Sequence, residues 1–321
     1  MIKKFSIIKR AYFWLTLGGA LLVASWAIFF SQMRFSEEFT GGVKISMTWS
    51  VVDQTQLKQD VEKYLIANNY KNSIVSVEKW ATVDLSIKTK LETDEKVNAL
   101  SKEIKTMLTD GKYIKTTADI VSQTVTGPSV GDYMQKSAKN ALIVGLILMA
   151  VYMMFSFAGL RKTISPAILA GVTIVTMVFD VSIPAGAYGL LMYFNSTVNI
   201  DTVFIIAVLT NMGYSINDTI IIFDRIRENL QHNKEKNPVY GNIFDASLRE
   251  TMRRSFGTVF STLLVIAAMF FLGSGAVKDF AFTIGVGVLA GSYSSIFISA
   301  PMAYLLMGKF KKEKKMITSH D

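Results

Sequence analysis

Six runs of about 20 apolar residues, each long enough to cross a bilayer as a helix, constrain this chain more than any other feature. They lie at about 11–31, 139–158, 164–192, 198–224, 255–273 and 280–307. With 50% hydrophobic residues and a mean hydropathy of +0.34, the 321-residue chain is too apolar for an ordinary soluble domain and too interrupted for a continuous bundle. The sequence predicts an α-helical polytopic membrane protein with one polar domain inserted between helices 1 and 2. Residues 1–31 supply a short N-terminus and the first helix, and 32–138 the inserted domain. Residues 139–307 supply a five-helix bundle with a polar loop at 225–254, and 308–321 a basic tail. Lys3, Lys4, Lys9 and Arg10 precede the first run, as in a secretory signal. Its apolar stretch is longer than a signal core and no small-x-small cleavage site follows, so it reads as a retained anchor.

Orientation follows from the cations, because Lys and Arg collect on the cytoplasmic side of short loops. One side gathers Lys3, Lys4, Lys9, Arg10, Arg161, Lys162, Arg225, Arg227, Lys234, Lys236, Arg249, Arg253 and Arg254. Lys309, Lys311, Lys312, Lys314 and Lys315 join them, against Lys278 in the opposite short loops. Both termini are expected in the cytoplasm, with 32–138 on the far side of the membrane. This distribution accounts for the net charge of +9 through the lipid bilayer, without a nucleic-acid partner. Cysteine is absent, and His232 and His320 lie outside the apolar runs. No disulfide, metal site or cofactor is therefore expected. No Gly-Lys-Ser/Thr nucleotide loop and no nucleophile–base pair stands out, which argues against an enzyme.

The inserted segment changes period from 2 to 3.6 and back. Val43–Trp49 reads as a strand, Asp53–Asn68 as a helix, Ile74–Trp80 and Thr82–Thr89 as strands, Asp94–Leu108 as a helix, and Tyr113–Val125 as an extended return. That order is βαββαβ, a ferredoxin-like α+β domain.

Asp218 lies inside the fourth run, where a charged group costs several kcal/mol and so normally serves a water-lined or protein-lined path. At helical spacing Asn211, Tyr214, Ser215, Asp218 and Ile222 share one stripe. Arg254, Thr258, Ser261 and Thr262 recur at the same spacing across the start of the fifth run, and a long Arg stem can reach into the bilayer. The plainer readings are a static interhelical bond for Asp218 and a topology-setting charge for Arg254. Asp180, with Pro184 one turn on, marks either a broken helix on a conducting path or an acid hydrogen-bonded at a packing kink. Asp224, Arg225, Arg227 and Glu228 read as a solvated cluster at the membrane edge, and Phe244–Arg254 as an amphipathic interfacial helix. Gly285, Gly287 and Gly291 allow close helix approach.

One polar domain between spans one and two, then five spans in succession, resembles half of a resistance-nodulation-division transporter. The stretch Gly213-Tyr-Ser-Ile-Asn-Asp-Thr-Ile-Ile-Ile-Phe-Asp-Arg-Ile-Arg-Glu-Asn229 is similar to that of the SecF family of protein-export membrane subunits. Glu38-Phe-Thr-Gly-Gly42 and Gly127-Pro-Ser-Val-Gly131 resemble two further motifs of that family. The family usually carries Asp at the position of Glu38, a change that keeps the charge, and His-Asp at that of Phe179-Asp180, a change that removes a titratable ring beside Asp180. The resemblance implies proton-coupling roles for Asp218 and Arg254, with Asp180 a third candidate. Asn211, Tyr214, Ser215, Asn217, Thr258 and Ser261 would form the supporting polar face. Phe39, Thr40, Gly41, Gly42, Gly127 and Pro128 would form the joint or hinge of the outer domain. Burial and a nearby guanidinium act oppositely on a carboxyl's proton affinity, so a motion that parts and rejoins the pair would load and release protons. The resemblance further implies the inner membrane of a bacterium and, as partners, a SecD-like subunit, the SecY-E-G channel and a translocating polypeptide. A proton-driven exporter of lipids or small molecules, or a passive translocase scaffold, are the competing expectations.

Overall fold

The structure, a computed structural model, describes residues 6–48, 53–70, 73–79, 82–89, 93–111, 113–114, 119–158, 165–195, 198–233, 239–273 and 275–307. Lys3, Lys4, Trp49, Trp80, Arg161, Lys162, Lys234, Lys236, the tail from 308 and part of the expected return around 115–118 lie outside the described residues.

After a 3-10 turn at Ile8–Arg10, α1 (Ala11–Gln32) leads through a one-turn helix, α2 (Glu37–Thr40), into a small domain. This comprises β1 (Gly42–Thr48), α3 (Gln54–Ala67), β2 (Ile74–Lys79), β3 (Thr82–Lys88), α4 (Asp94–Asp110) and β4 (Ile120–Thr126). The sheet order is β2-β3-β1-β4 with every pairing antiparallel. Val43, Ile45 and Met47 of β1 and Val83, Leu85 and Ile87 of β3 alternate into a core closed by Leu57, Val61 and Leu65 of α3 and Leu100, Ile104 and Leu108 of α4. Each helix starts on an N-cap: Asp53 accepts from Thr55 N and the Thr93 hydroxyl from Lys96 N.

Then come α5 (Pro128–Ser156), α6 (Pro166–Phe194), α7 (Thr202–His232), α8 (Tyr240–Leu272) and α9 (Ala276–Tyr293), which continues through a π-helical turn at Ser294–Ser299 to Met307. Six helices among the described residues are long and apolar enough to cross a membrane. Two bounds differ from expectation for identifiable reasons. Pro128 at the first helical position starts α5 well before its apolar run, because its fixed φ suits a helix start. The segment Phe244–Arg254 is not a separate interfacial helix. Phe244, Ser247, Leu248, Thr251 and Ser255 form one buried stripe that no Pro or Gly interrupts, and α8 runs straight from it into the span.

Interior positions belong mainly to α6, α7 and α9, whereas α1, α5 and α8 turn most of their apolar side chains outward. The last span closes on α7 at two glycines. A Cβ on Gly287 would stand 1.8 Å from Asn211 Nδ2, and one on Gly291 2.9 Å from Ser215 Cβ. Small residues likewise let α1 lie on α6, where a Cβ on Gly186 would meet Ser25.

The small domain is bolted to one end of the bundle through the connector after α1. Ser36 N donates to Ile200 O at 2.8 Å and Ile200 N to Arg34 O at 2.7 Å, forming a parallel bridge with the α6–α7 loop. The Arg34 guanidinium donates to the Met192 and Asn195 carbonyls at the end of α6. Lys88 Nζ donates to Asn199 Oδ1 at 2.5 Å. Glu38 Oε2 accepts from Thr202 N at 2.9 Å, and Asp201 Oδ1 from Phe204 N at 2.8 Å, so two carboxylates cap the start of α7. Gln135 of α5 donates to Phe39 O at 2.6 Å. At the far end of the bundle Asp245 of α8 accepts from Ser6 and from Ile7 N and Ile8 N, fixing the turn before α1.

Burial pushes the Lys88 ammonium down to about 8, with Glu37 opposing and Arg34 reinforcing the shift. The folded chain then holds this proton less tightly than the unfolded chain, and the stability contribution grows as pH rises from about 8 toward the ordinary lysine value. Lys88→Met should flatten that rise in a thermal-unfolding series between pH 7 and 10.5.

Candidate functional site

Two carboxylates sit inside the apolar bundle: Asp180 of α6 is 1% exposed and Asp218 of α7 is 3% exposed. Asp180 Oδ2 accepts from the Ser215 hydroxyl of α7, and Ser294 of the π-helical turn, whose hydroxyl donates to Gly291 O at 3.1 Å, lies close enough to act on this carboxyl. Its Oδ1 has no partner among the described residues. Pro184 removes the N–H that would otherwise bond the Asp180 carbonyl. The helix nevertheless runs unbroken through it. The π-helical turn adds one residue per turn, a feature common at functional sites, and brings Ser295 to α7 as well. Ser295 Oγ lies 2.9 Å from the Thr219 hydroxyl and donates to Ser215 O at 3.4 Å. Nearer the sheet domain, Asn211 Nδ2 donates to Thr283 O at 3.1 Å while its Oδ1 has no partner among the described residues.

Asp218 faces α8 instead. The buried Ser255 hydroxyl is beside it, and Arg254 is close enough to act on its charge. Arg254, Thr258 and Ser261 project from the outward face of α8, and Asn217 from that of α7. Thr258 and Ser261 return their hydroxyls to carbonyls of their own helix. Tyr214 reaches Thr262 at 3.4 Å. The structure thus gathers Asp180, Asn211, Ser215 and Asp218 in the interior, and leaves Arg254, Asn217, Thr258 and Ser261 on a surface. Sequence reasoning missed Ser255, Ser294 and Ser295. The serine-rich stretch Ser292–Ser299 in an apolar run was the available signal for the last two.

The membrane-edge cluster is an ion-pair network joining α7 to α8. Arg225 pairs with Glu228 at 2.5 Å and Glu250 at 2.6 Å, Arg227 with Asp224 at 2.6 Å, and Asn229 donates to Glu250 at 2.9 Å. These groups are largely solvated, and water and salt screen such pairs, so they add little to stability. Glu37, beside Glu38, is 4% exposed and takes the Ser86 hydroxyl at 2.6 Å and Lys44 at 3.9 Å. Among the described residues no group of three His, Cys, Asp or Glu could hold a metal ion. What the interior cluster does offer is carboxyl and hydroxyl groups in a short chain across α6, α7 and the last span, a composition suited to holding and passing protons.

The family model for protein export membrane protein SecD/SecF, C-terminal, matches residues 106–309. The chain belongs to the SecD/SecF protein-export family. Protein translocase subunit SecF of Sebaldella termitidis is 32% identical over 301 residues, 92% of this chain and 89% of that protein. Protein translocase subunit SecDF of Thermus thermophilus is 34% identical over 200 residues, 61% of this chain and 25% of that protein. The crystal structure of SecDF, a translocon-associated membrane protein from the same organism, superposes with a TM-score of 0.75 at 25% identity, covering 96% of this chain and 39% of that one. This SecD/SecF member is accordingly a multi-pass protein of the bacterial membrane, and its relatives are named as translocase subunits rather than enzymes. The Phe39-Thr-Gly-Gly42 segment occupies the joint: Phe39 is buried, and Gly41 and Gly42 have φ of +85° and +151°.

Proposed function

We propose that this chain is the SecF-like half of a Sec accessory complex that uses the proton-motive force to advance polypeptides leaving the SecY-E-G channel. Its partner is a SecD-like subunit, whose helices complete the bundle against the outward face of α8, where Arg254, Thr258 and Ser261 stand among Phe256, Phe260 and Leu264. Both termini face the cytoplasm. The βαββαβ unit from β1 to β4, Gly42–Thr126, is a ferredoxin-like domain on the outer side, a reading supported by its strand order. Asp218 and Asp180 take up and release protons, Arg254 modulates Asp218, and Asn211, Tyr214, Ser215 and Asn217 line or flank the path.

The observation that carries this reading is the continuity of α7. Its middle bears Ser215 and Asp218, and its first amide is held by Glu38, two residues from the turn into β1. A change of helix position at the acids therefore reaches the outer domain through a bonded joint. Depletion of the chain should accumulate precursor proteins in the cytoplasm, and crosslinkers placed on α3 or α4 should capture an arrested precursor. Sensitivity to small toxic compounds without any export defect would instead identify an efflux component.

A further inference from the structure

Beside the joint lies a cavity of about 570 Å³ whose wall includes Arg34, Phe35, Lys58, Ile74, Lys88 and Thr89. Among the described residues its lining holds three cations and no carboxylate. This is a local sorting of charge, because the adjoining cleft on the other side of the connector carries Glu37, Glu38, Asp84, Asp201 and Asp279 around Lys44. Within the wall of the cationic cavity, Arg34 Nε and the Thr89 hydroxyl are buried with no partner among the described residues, and Thr89 is 3% exposed. Lys88 commits one N–H to Asn199. Buried donors without acceptors are costly, and an oxyanion would satisfy several at once.

The position of the cavity indicates where that oxyanion comes from. Arg34 follows the end of α1 by two residues and bonds the carbonyls that end α6. Phe30, Tyr193 and Phe194 project outward at the same level, as aromatic side chains do at a bilayer surface. We infer that the cavity binds a phosphate-type oxyanion, supplied by the headgroup of an anionic phospholipid in the surrounding bilayer. A passing polypeptide fits less well, since an anion-selective cavity would discriminate among sequences. The bound headgroup would bridge the connector, α3 and β3, and so steady the outer domain on the bundle. Arg34 and Glu37 are the charges acting on Lys88, and with its ammonium held down to about 8, retention of the anion should decline above that pH.

The purified full-length chain, titrated with dioleoyl phosphatidylglycerol or dioleoyl phosphatidylcholine and read by native mass spectrometry, tests this directly. Phosphatidylglycerol should be retained preferentially. Thr89→Val, which preserves shape, and Lys88→Met should each weaken retention about tenfold, the loss of one charged hydrogen bond, with helical content and thermal transition preserved in Thr89→Val. Equal retention of the two lipids, or retention unchanged in both variants, overturns the inference. Inorganic phosphate binding without any lipid preference overturns the lipid source, and capture of an acidic peptide in place of either lipid overturns the assignment to the bilayer.

Discussion

Asp218→Asn should remove the gradient-dependent part of precursor export while leaving the folded chain in the membrane. Asn has nearly the same shape and can still meet the Ser255 hydroxyl beside it, but an amide takes up no proton. One charge moved through 100 mV is worth about 2.3 kcal/mol, on the order of a 50-fold bias in an equilibrium. A loss of at least about tenfold in the gradient-dependent rate is therefore expected in vesicles that also contain the SecD-like partner. Ser255→Ala, which removes only a neighbouring hydroxyl, should cost no more than a few-fold by the same assay. Export that continues under a gradient at the wild-type rate in Asp218→Asn would leave the chain a scaffold.

Gly42→Ala carries the largest expected cost in stability. A Cβ at Gly42 would lie 2.2 Å from the Ile87 carbonyl oxygen and 3.1 Å from Lys88 Cα, both backbone atoms that cannot swing away. The φ of +151° adds strain for any residue with a side chain. Overpacking and backbone strain together should amount to about 3 kcal/mol, lowering the unfolding midpoint of a domain this size by about 15 °C. The β1–β3 pairing would open where the domain meets α2, so export should fall along with stability. Gly19→Ala, which would meet nothing within 4 Å, is the matched control and should be close to neutral.

The spans and the strand–helix order were legible because each is written in a local period: long apolar runs, or alternation as in Val83, Leu85 and Ile87. Helix ends were less legible. Polar residues after Pro128 and before Phe256 extend α5 and α8 beyond their apolar cores, and a hydropathy reading stops where the apolar residues stop. The site was half legible. The stripe Asn211, Ser215 and Asp218 is visible from spacing alone, but which residue of α8 meets Asp218 depends on that helix's rotation. Ser255 turns inward and Arg254, one residue or about 100° away, turns outward. Contacts between distant segments were invisible: Glu38 capping Thr202, and Ser294 meeting Asp180, join residues more than 100 positions apart. The glycines of the connector showed that a turn was present. Its packing against Ile87, Gly131 and Gln135, which makes it a tied joint, required the fold.

In the proposed mechanism, proton uptake at the interior acids moves the outer domain relative to the bundle. Because the chain has no cysteine, Lys102→Cys on α4 and Leu272→Cys at the end of α8 provide a unique pair of labelling sites. Their separation can be followed by double electron–electron resonance in proteoliposomes that also hold the SecD-like partner. Imposing a proton gradient should shift the distance distribution in the wild-type background and leave it unshifted with Asp218→Asn. An identical gradient-induced shift in both would contradict the account.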